Sequence, residues 1–80
     1  MEDNTTAAEP AVYAFAKNSR DEVRATLGVY RGHRLADVRV YAAGEDDQPR
    51  PTRKGLALSV ALLPELQRAV EALIRAERAA

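Results

Sequence analysis

The sequence has no cysteine and no tryptophan, a single histidine, and only four aromatic rings, three tyrosines and one phenylalanine. Each shortage closes off a class of protein. Without cysteine there are no disulfides, no thiolate metal sites and no thiol nucleophile, a composition that fits a reducing compartment. One histidine, His33, with the carboxylates scattered as they are, makes no zinc site. No stretch nears the roughly 18 apolar residues of a membrane span. Residues 1–10 lack the charged-then-apolar pattern of a secretion signal. A cytoplasmic protein with no membrane partner is expected. A Gly-rich phosphate loop and a Ser/His/Asp constellation are also missing, so neither an enzyme nor a cofactor is expected. Eighty residues give one domain, with a core too small to be secure alone. With disulfides and metal excluded, the remaining support is a second copy of the chain.

Twelve basic and twelve acidic residues leave the net charge at zero, which by itself argues against a polyanionic partner. The distribution argues the other way. Residues 1–11 contribute −3 and residues 12–43 contribute +3. Residues 44–48 (Glu45, Asp46, Asp47) contribute −3, and residues 49–55 (Arg50, Arg53, Lys54) contribute +3. A partner meets the field of a local patch, not the sum over the chain.

Residues 1–11 are polar and without apolar period, and read as a disordered tail ahead of a domain at 12–80. Residues 12–17 read as a short strand. Residues 23–30 and 33–41 read as two strands joined by Arg31-Gly32, a two-residue hairpin loop with glycine second. That loop pairs Leu27 with Ala36, Ala25 with Val38 and Val23 with Val40, all apolar and all on one face. On the other face Tyr30 meets His33, Thr26 meets Asp37 and Arg24 meets Arg39, with Tyr41 beyond. Residues 44–52 read as a long polar loop, and residues 53–58 restore alternation as a fourth strand. From Val60 the period becomes helical, with Leu62, Leu66, Ala69, Val70, Leu73 and Ile74 recurring on one stripe. Either Ser59 caps a helix beginning at Val60, or the regular helix begins at Pro64. The fold class is α+β: a curved, four-stranded antiparallel sheet and one C-terminal helix (ββββα). The helix is expected to cover the apolar face of the sheet, and the chain to form a homodimer.

The charged face holds the candidate chemistry. Asp37 is the one carboxylate expected near the middle of that face, and an ion pair with Arg24 or Arg39 accounts for it better than catalysis. Tyr30 and Tyr41 suit strands by propensity alone. Beside Arg24, Arg39 and the turn-flanking His33 they also suit a single-stranded nucleic acid, whose bases stack on aromatic planes while cations follow the backbone. The run Arg50-Pro-Thr-Arg-Lys-Gly55 reads equally as a solubilising loop and as a phosphate clamp, with Gly55 allowing close backbone approach.

Four segments together, Phe15-Ala-Lys17, Val29-Tyr30-Arg31-Gly32, Asp37-Val-Arg39-Val-Tyr41 and Arg50-Pro-Thr-Arg-Lys-Gly-Leu-Ala-Leu58, resemble the single-stranded-DNA-binding domain of positive cofactor 4. That is a eukaryotic transcriptional coactivator with small bacterial relatives. The resemblance runs from about Tyr13 to Ala76. It implies a dimer whose two curved sheets hold single strands, with Lys17, Tyr30, Arg31, Arg39, Arg50, Arg53 and Lys54 as contacts. It also implies work in transcription regulation or on unwound DNA. Ala42 stands where the eukaryotic coactivator has tryptophan, which removes one stacking platform. Residues 1–11 do not match that coactivator's long Ser/Lys-rich regulatory region, so general strand binding is expected rather than coactivation of a eukaryotic-type polymerase. The partners expected are single-stranded DNA, with RNA as the alternative, and a second copy of the chain. The competing reading is an interaction module that docks on RNA polymerase or other transcription proteins through the same face.

Overall fold

The computed structural model describes residues 11–79. Four strands, β1 (Ala11–Ala16), β2 (Asp21–Tyr30), β3 (His33–Ala43) and β4 (Pro49–Ser59), lead through a 3-10 turn (Val60–Leu62) into one helix, α1 (Leu63–Ala79). The strands form one open, curved antiparallel sheet in the order β1-β2-β3-β4. The tail expected at residues 1–11 lies outside the described residues except for Ala11, which opens β1. No helix among the described residues is long and apolar enough to cross a membrane.

The register follows from the central hairpin. Arg31 and Gly32 take φ of 53° and 81°, the two positive values that a tight turn needs to match the twist of its strands. The turn sets Tyr30 against His33, and the ladder then runs through Thr26 and Asp37 to Arg24 and Arg39, as the alternation predicts. The strand β2 starts two residues earlier than expected, because Asn18 organises the preceding turn. Its Oδ1 accepts from the Arg20 and Asp21 amides at 2.9 and 2.8 Å.

The polar loop expected over residues 44–52 is shorter than the sequence suggests. Residues 44–48 form a closed turn, with the Gly44 amide donating to the Gln48 carbonyl at 3.1 Å and the Asp47 amide to the Gly44 carbonyl at 3.0 Å. Residues 49–52 belong to β4, in which Pro49 and Pro51 pair with Ala43 and Tyr41. An edge strand tolerates prolines because one of its sides has no ladder to feed; β4 is such an edge. The helix start falls between the two considered from the sequence. The Ser59 hydroxyl caps the 3-10 turn by accepting from the Ala61 amide at 3.2 Å, and the α-helix begins at Leu63. Pro64 falls in its first turn, where no intrahelical N–H donor is required.

The apolar face is where the structure corrects the sequence. The helix does not cover it: no residue of α1 is buried, and only Leu66 is half-buried. Leu73 is 69 % exposed and Val70 46 %, while on the sheet Phe15 and Leu56 remain 54 % and 44 % exposed. Among the described residues Ala36 and Tyr41 are the buried hydrophobic ones. The chain runs on from β4 through the 3-10 turn without folding back, so hydrophobic periodicity in α1 marks a surface that one chain leaves open.

Candidate nucleic-acid interface

Alternate residues of a strand share a face, so the register above assembles the charged face row by row. Arg24, Thr26, Gly28 and Tyr30 come from β2, and His33, Leu35, Asp37, Arg39 and Tyr41 from β3. From β4, Pro51, Gly55 and Ala57 share the face through their partners on β3. A groove of about 490 Å³ opens here, within the range of small-ligand sites. The apolar part of its floor is Gly28, Leu35, Pro51 and Ala57, with the buried Thr26 and Asp37 beside Ala57 in one row of the ladder; Tyr30, Arg39, Thr52 and Arg53 also line it. The small or apolar residues of this floor were not foreseen as site residues. The parity of the register, which places Gly28 opposite Leu35 and Ala57 opposite Asp37, was the signal that could have found them.

The candidate arginines divide into two sets, and one of these arginines, Arg50, pairs with Ala42 and so falls on the opposite face from Tyr41. Three are held by carboxylates: Arg24 by Glu22 at 2.8 Å, Arg39 by Asp37 at 2.9 Å, and Arg50 by Asp46 at 2.7 Å. The ion pair expected for Asp37 therefore forms with Arg39. It is the most sheltered of the three, with side chains 9 % and 21 % exposed, and the hydrogen bond to Asp37 raises the Arg39 pKa still further above the ordinary range. The Asp46 carboxyl is held below its usual value by the Gln48 amide, with a further contribution from Arg50. In contrast, Lys17, Arg31, Arg53 and Lys54 make no ion pair among the described residues. Arg31 lies 5.3 Å from the ring centre of Tyr30. Arg53 lines the groove and Lys54 follows it on β4, whereas Lys17 sits past β1 at the far end of β2, and His33 is exposed across from Tyr30.

Arg53 and Lys54 owe their position to a bulge. Opposite β3, the partner of Arg39 is Gly55 and the partner of Tyr41 is Pro51, so Thr52, Arg53 and Lys54 all stand against Val40. Thr52 ties the bulge down: its hydroxyl donates to the Val40 carbonyl at 2.8 Å and accepts from the Lys54 amide at 3.2 Å, and its carbonyl accepts from Arg39 Nη1 at 3.0 Å. A Cβ on Gly55 would lie 2.4 Å from the Val38 carbonyl oxygen and 2.6 Å from Arg39 Cα. The close approach foreseen for Gly55 is thus to the neighbouring strand. Arg39, expected as a ligand contact, spends three of its five N–H groups inside the protein.

The two tyrosines have opposite fates. Tyr30 is 54 % exposed, with the Arg31 guanidinium over its ring at 5.3 Å. Tyr41 is 7 % exposed, and the guanidinium of Arg24 sits 4.4 Å above its ring centre. Tyr41 is therefore not an open platform. Its neighbour across the ladder diagonal, Arg24, roofs it.

The sheet thus has one apolar face and one grooved face with arginines in its lining, and the class it defines is that of its family. The family follows from comparison. The sequence profile described as Transcriptional Coactivator p15 (PC4) matches residues 17–69, and the chain belongs to that family, whose role is nucleic-acid-binding and transcription-associated. The PC4 homologue of Burkholderia pseudomallei in its orthorhombic crystal form superposes with a TM-score of 0.69 at 27 % identity, covering 88 % of this chain and 90 % of its own. The tetragonal form of the same protein gives 0.70 at 26 %, covering 88 % and 98 %. A bacteriophage T5 homologue of the eukaryotic coactivator, implicated in recombination-dependent DNA replication, shares the fold with a TM-score of 0.72 at 18 % identity, over 89 % of this chain and 82 % of its own. Among curated proteins no sequence matches the chain.

Proposed function

We propose that this protein is a homodimeric, sequence-tolerant binder of single-stranded DNA, a cytoplasmic binding protein rather than an enzyme, serving transcription regulation or DNA maintenance. The observation that carries the reading is the groove. Its floor is largely apolar and Tyr30 stands exposed beside it, while three cations have no carboxylate partner among the described residues: Arg53 in the lining, and Arg31 and Lys54 next along the chain to Tyr30 and Arg53. Splayed bases gain from the floor and the ring, and the backbone gains from the cations. Duplex DNA offers phosphates to the same cations but keeps its base faces stacked inside. The phage relative's association with replication supports DNA maintenance as readily as transcription.

The homodimer is supported by the uncovered apolar surface. Leu62, Val70, Leu73 and Ile74 on the helix side and Phe15 and Leu56 on the sheet are all 44 % exposed or more, an apolar surface that a soluble monomer does not leave open. A second copy offers the same surface about a two-fold axis.

The test is a titration of matched single-stranded, duplex and RNA oligonucleotides over a series of salt concentrations. Single-stranded DNA should bind more tightly than duplex. Log K should fall linearly with log salt, with a slope of roughly −0.7 per phosphate contact. Equal affinity for duplex, or affinity indifferent to salt, overturns the reading. Tighter binding to RNA shifts the substrate without moving the site.

A further inference from the structure

The lower half of the charged face presents a contradiction for a strand-binding surface. Its aromatic ring, Tyr41, is buried, and its two arginines, Arg24 and Arg39, stand directly across the ladder from one another with a carboxylate each. Charge is balanced there. A phosphate arriving at Arg24 would also meet Glu22, whose side chain is 39 % exposed, and would gain little. The guanidinium itself is nevertheless well placed for something else. It rests on the Tyr41 ring at 4.4 Å, its Nε is steered by Glu22 at 2.8 Å, and 29 % of the side chain remains open to solvent.

We propose that Arg24, seated on Tyr41 and oriented by Glu22, is a stacking subsite for one nucleobase. A guanidinium is planar and weakly hydrated, and it stacks on π systems through either side. With Tyr41 beneath one side, the open side faces the charged surface and takes the base, giving a tyrosine–arginine–base sandwich. Stacking requires no net charge, so the neutralising carboxylate does not oppose it as it opposes a phosphate; it keeps the phosphate elsewhere. Arg24 and Tyr30 lie six residues apart on one face of β2, about 20 Å along an extended strand. The charged face thus carries two platforms, an exposed ring at the hairpin end and a ring-backed guanidinium six residues away on β2. This inference rests on the single-strand reading above and adds to it the residue that receives a base where no aromatic is accessible.

The experiment separates a base platform from a phosphate contact. Wild type and Arg24→Lys are titrated with a short oligothymidylate and with the abasic deoxyribose-phosphate chain of the same length, each over a salt series, with thermal unfolding recorded for both proteins. Lysine keeps the charge, the Glu22 partner and the strand position, and loses the plane. The wild type should prefer the base-bearing strand. Arg24→Lys should reduce that preference by roughly 5- to 100-fold, the worth of one stacked base, with an unchanged salt slope and an unfolding midpoint close to that of the wild type. A variant with wild-type preference for bases overturns the proposal, and so does a wild type that binds both chains equally. A wild type that binds neither chain overturns strand binding itself, an outcome distinct from the failure of the Arg24 platform alone.

Discussion

Tyr30 and Lys54 make different demands on a nucleic acid, and substitution separates them. Lys54 sits in the bulge of β4 with no carboxylate partner among the described residues, so a phosphate contact is what the proposed function expects of it. Lys54→Ala should weaken all single-stranded sequences alike and make the salt slope shallower by roughly 0.7. Tyr30 offers an exposed ring at the hairpin end. Tyr30→Ala should cost on the order of 1–3 kcal/mol in binding and leave the slope nearly unchanged. A salt-series titration on one oligonucleotide checks both; equal slopes for the wild type and Lys54→Ala would remove Lys54 from the interface. Both variants should stay folded, because Tyr30 is 54 % exposed and Lys54 is exposed.

At the scale of elements, the junction of β3 and β4 is the device that presents the cations. Thr52 fills the bulge with three hydrogen bonds, and Gly55 lets the two backbones close to a distance that no side chain fits. Gly55→Ala forces β4 away from Val38 and Arg39. Overpacking of this kind costs about 1–3 kcal/mol, which denaturant unfolding will measure, and the displaced Arg53 and Lys54 should weaken strand binding in the same variant. Unchanged stability would mean that β4 yields freely and that the bulge is not fixed. The helix presents the converse case, an element whose own stripe is regular and whose contacts within the chain are few.

For the whole molecule, folding and association form a single equilibrium if the dimer stands. Leu73 is 69 % exposed in one chain. In a monomer Leu73→Glu would be a surface change, within about 0.5 kcal/mol of neutral. In the dimer it places a charge in an apolar contact, so the unfolding midpoint and the dimer fraction should fall together. Sedimentation and thermal unfolding at matched concentrations decide between the two. A wild-type monomer at micromolar concentration would refute the dimer outright.

Local patterns were legible in the sequence because they depend on near neighbours. The alternation in β2 and β3, together with the turn at Arg31-Gly32, determined their register and therefore which residues share the charged face. Ser59 and Pro64 marked the two stages of the helix start. Residues 49–52 read as loop in the sequence because proline disfavours strands in general, and the exception for an edge depends on where β4 lies in the sheet. The Asp37 ion pair was legible, forming with Arg39, but the pairing of Arg24 with Glu22 was not. Glu22 and Arg24 sit two apart on one strand face and their pairing is visible in hindsight, but the burial of Tyr41 beneath Arg24 requires two strands laid side by side. A periodic helix announces that it has an apolar face without naming what covers it. Only the tertiary structure decided that the cover is not this chain's own sheet, because covering requires the chain to fold back after β4, and it does not.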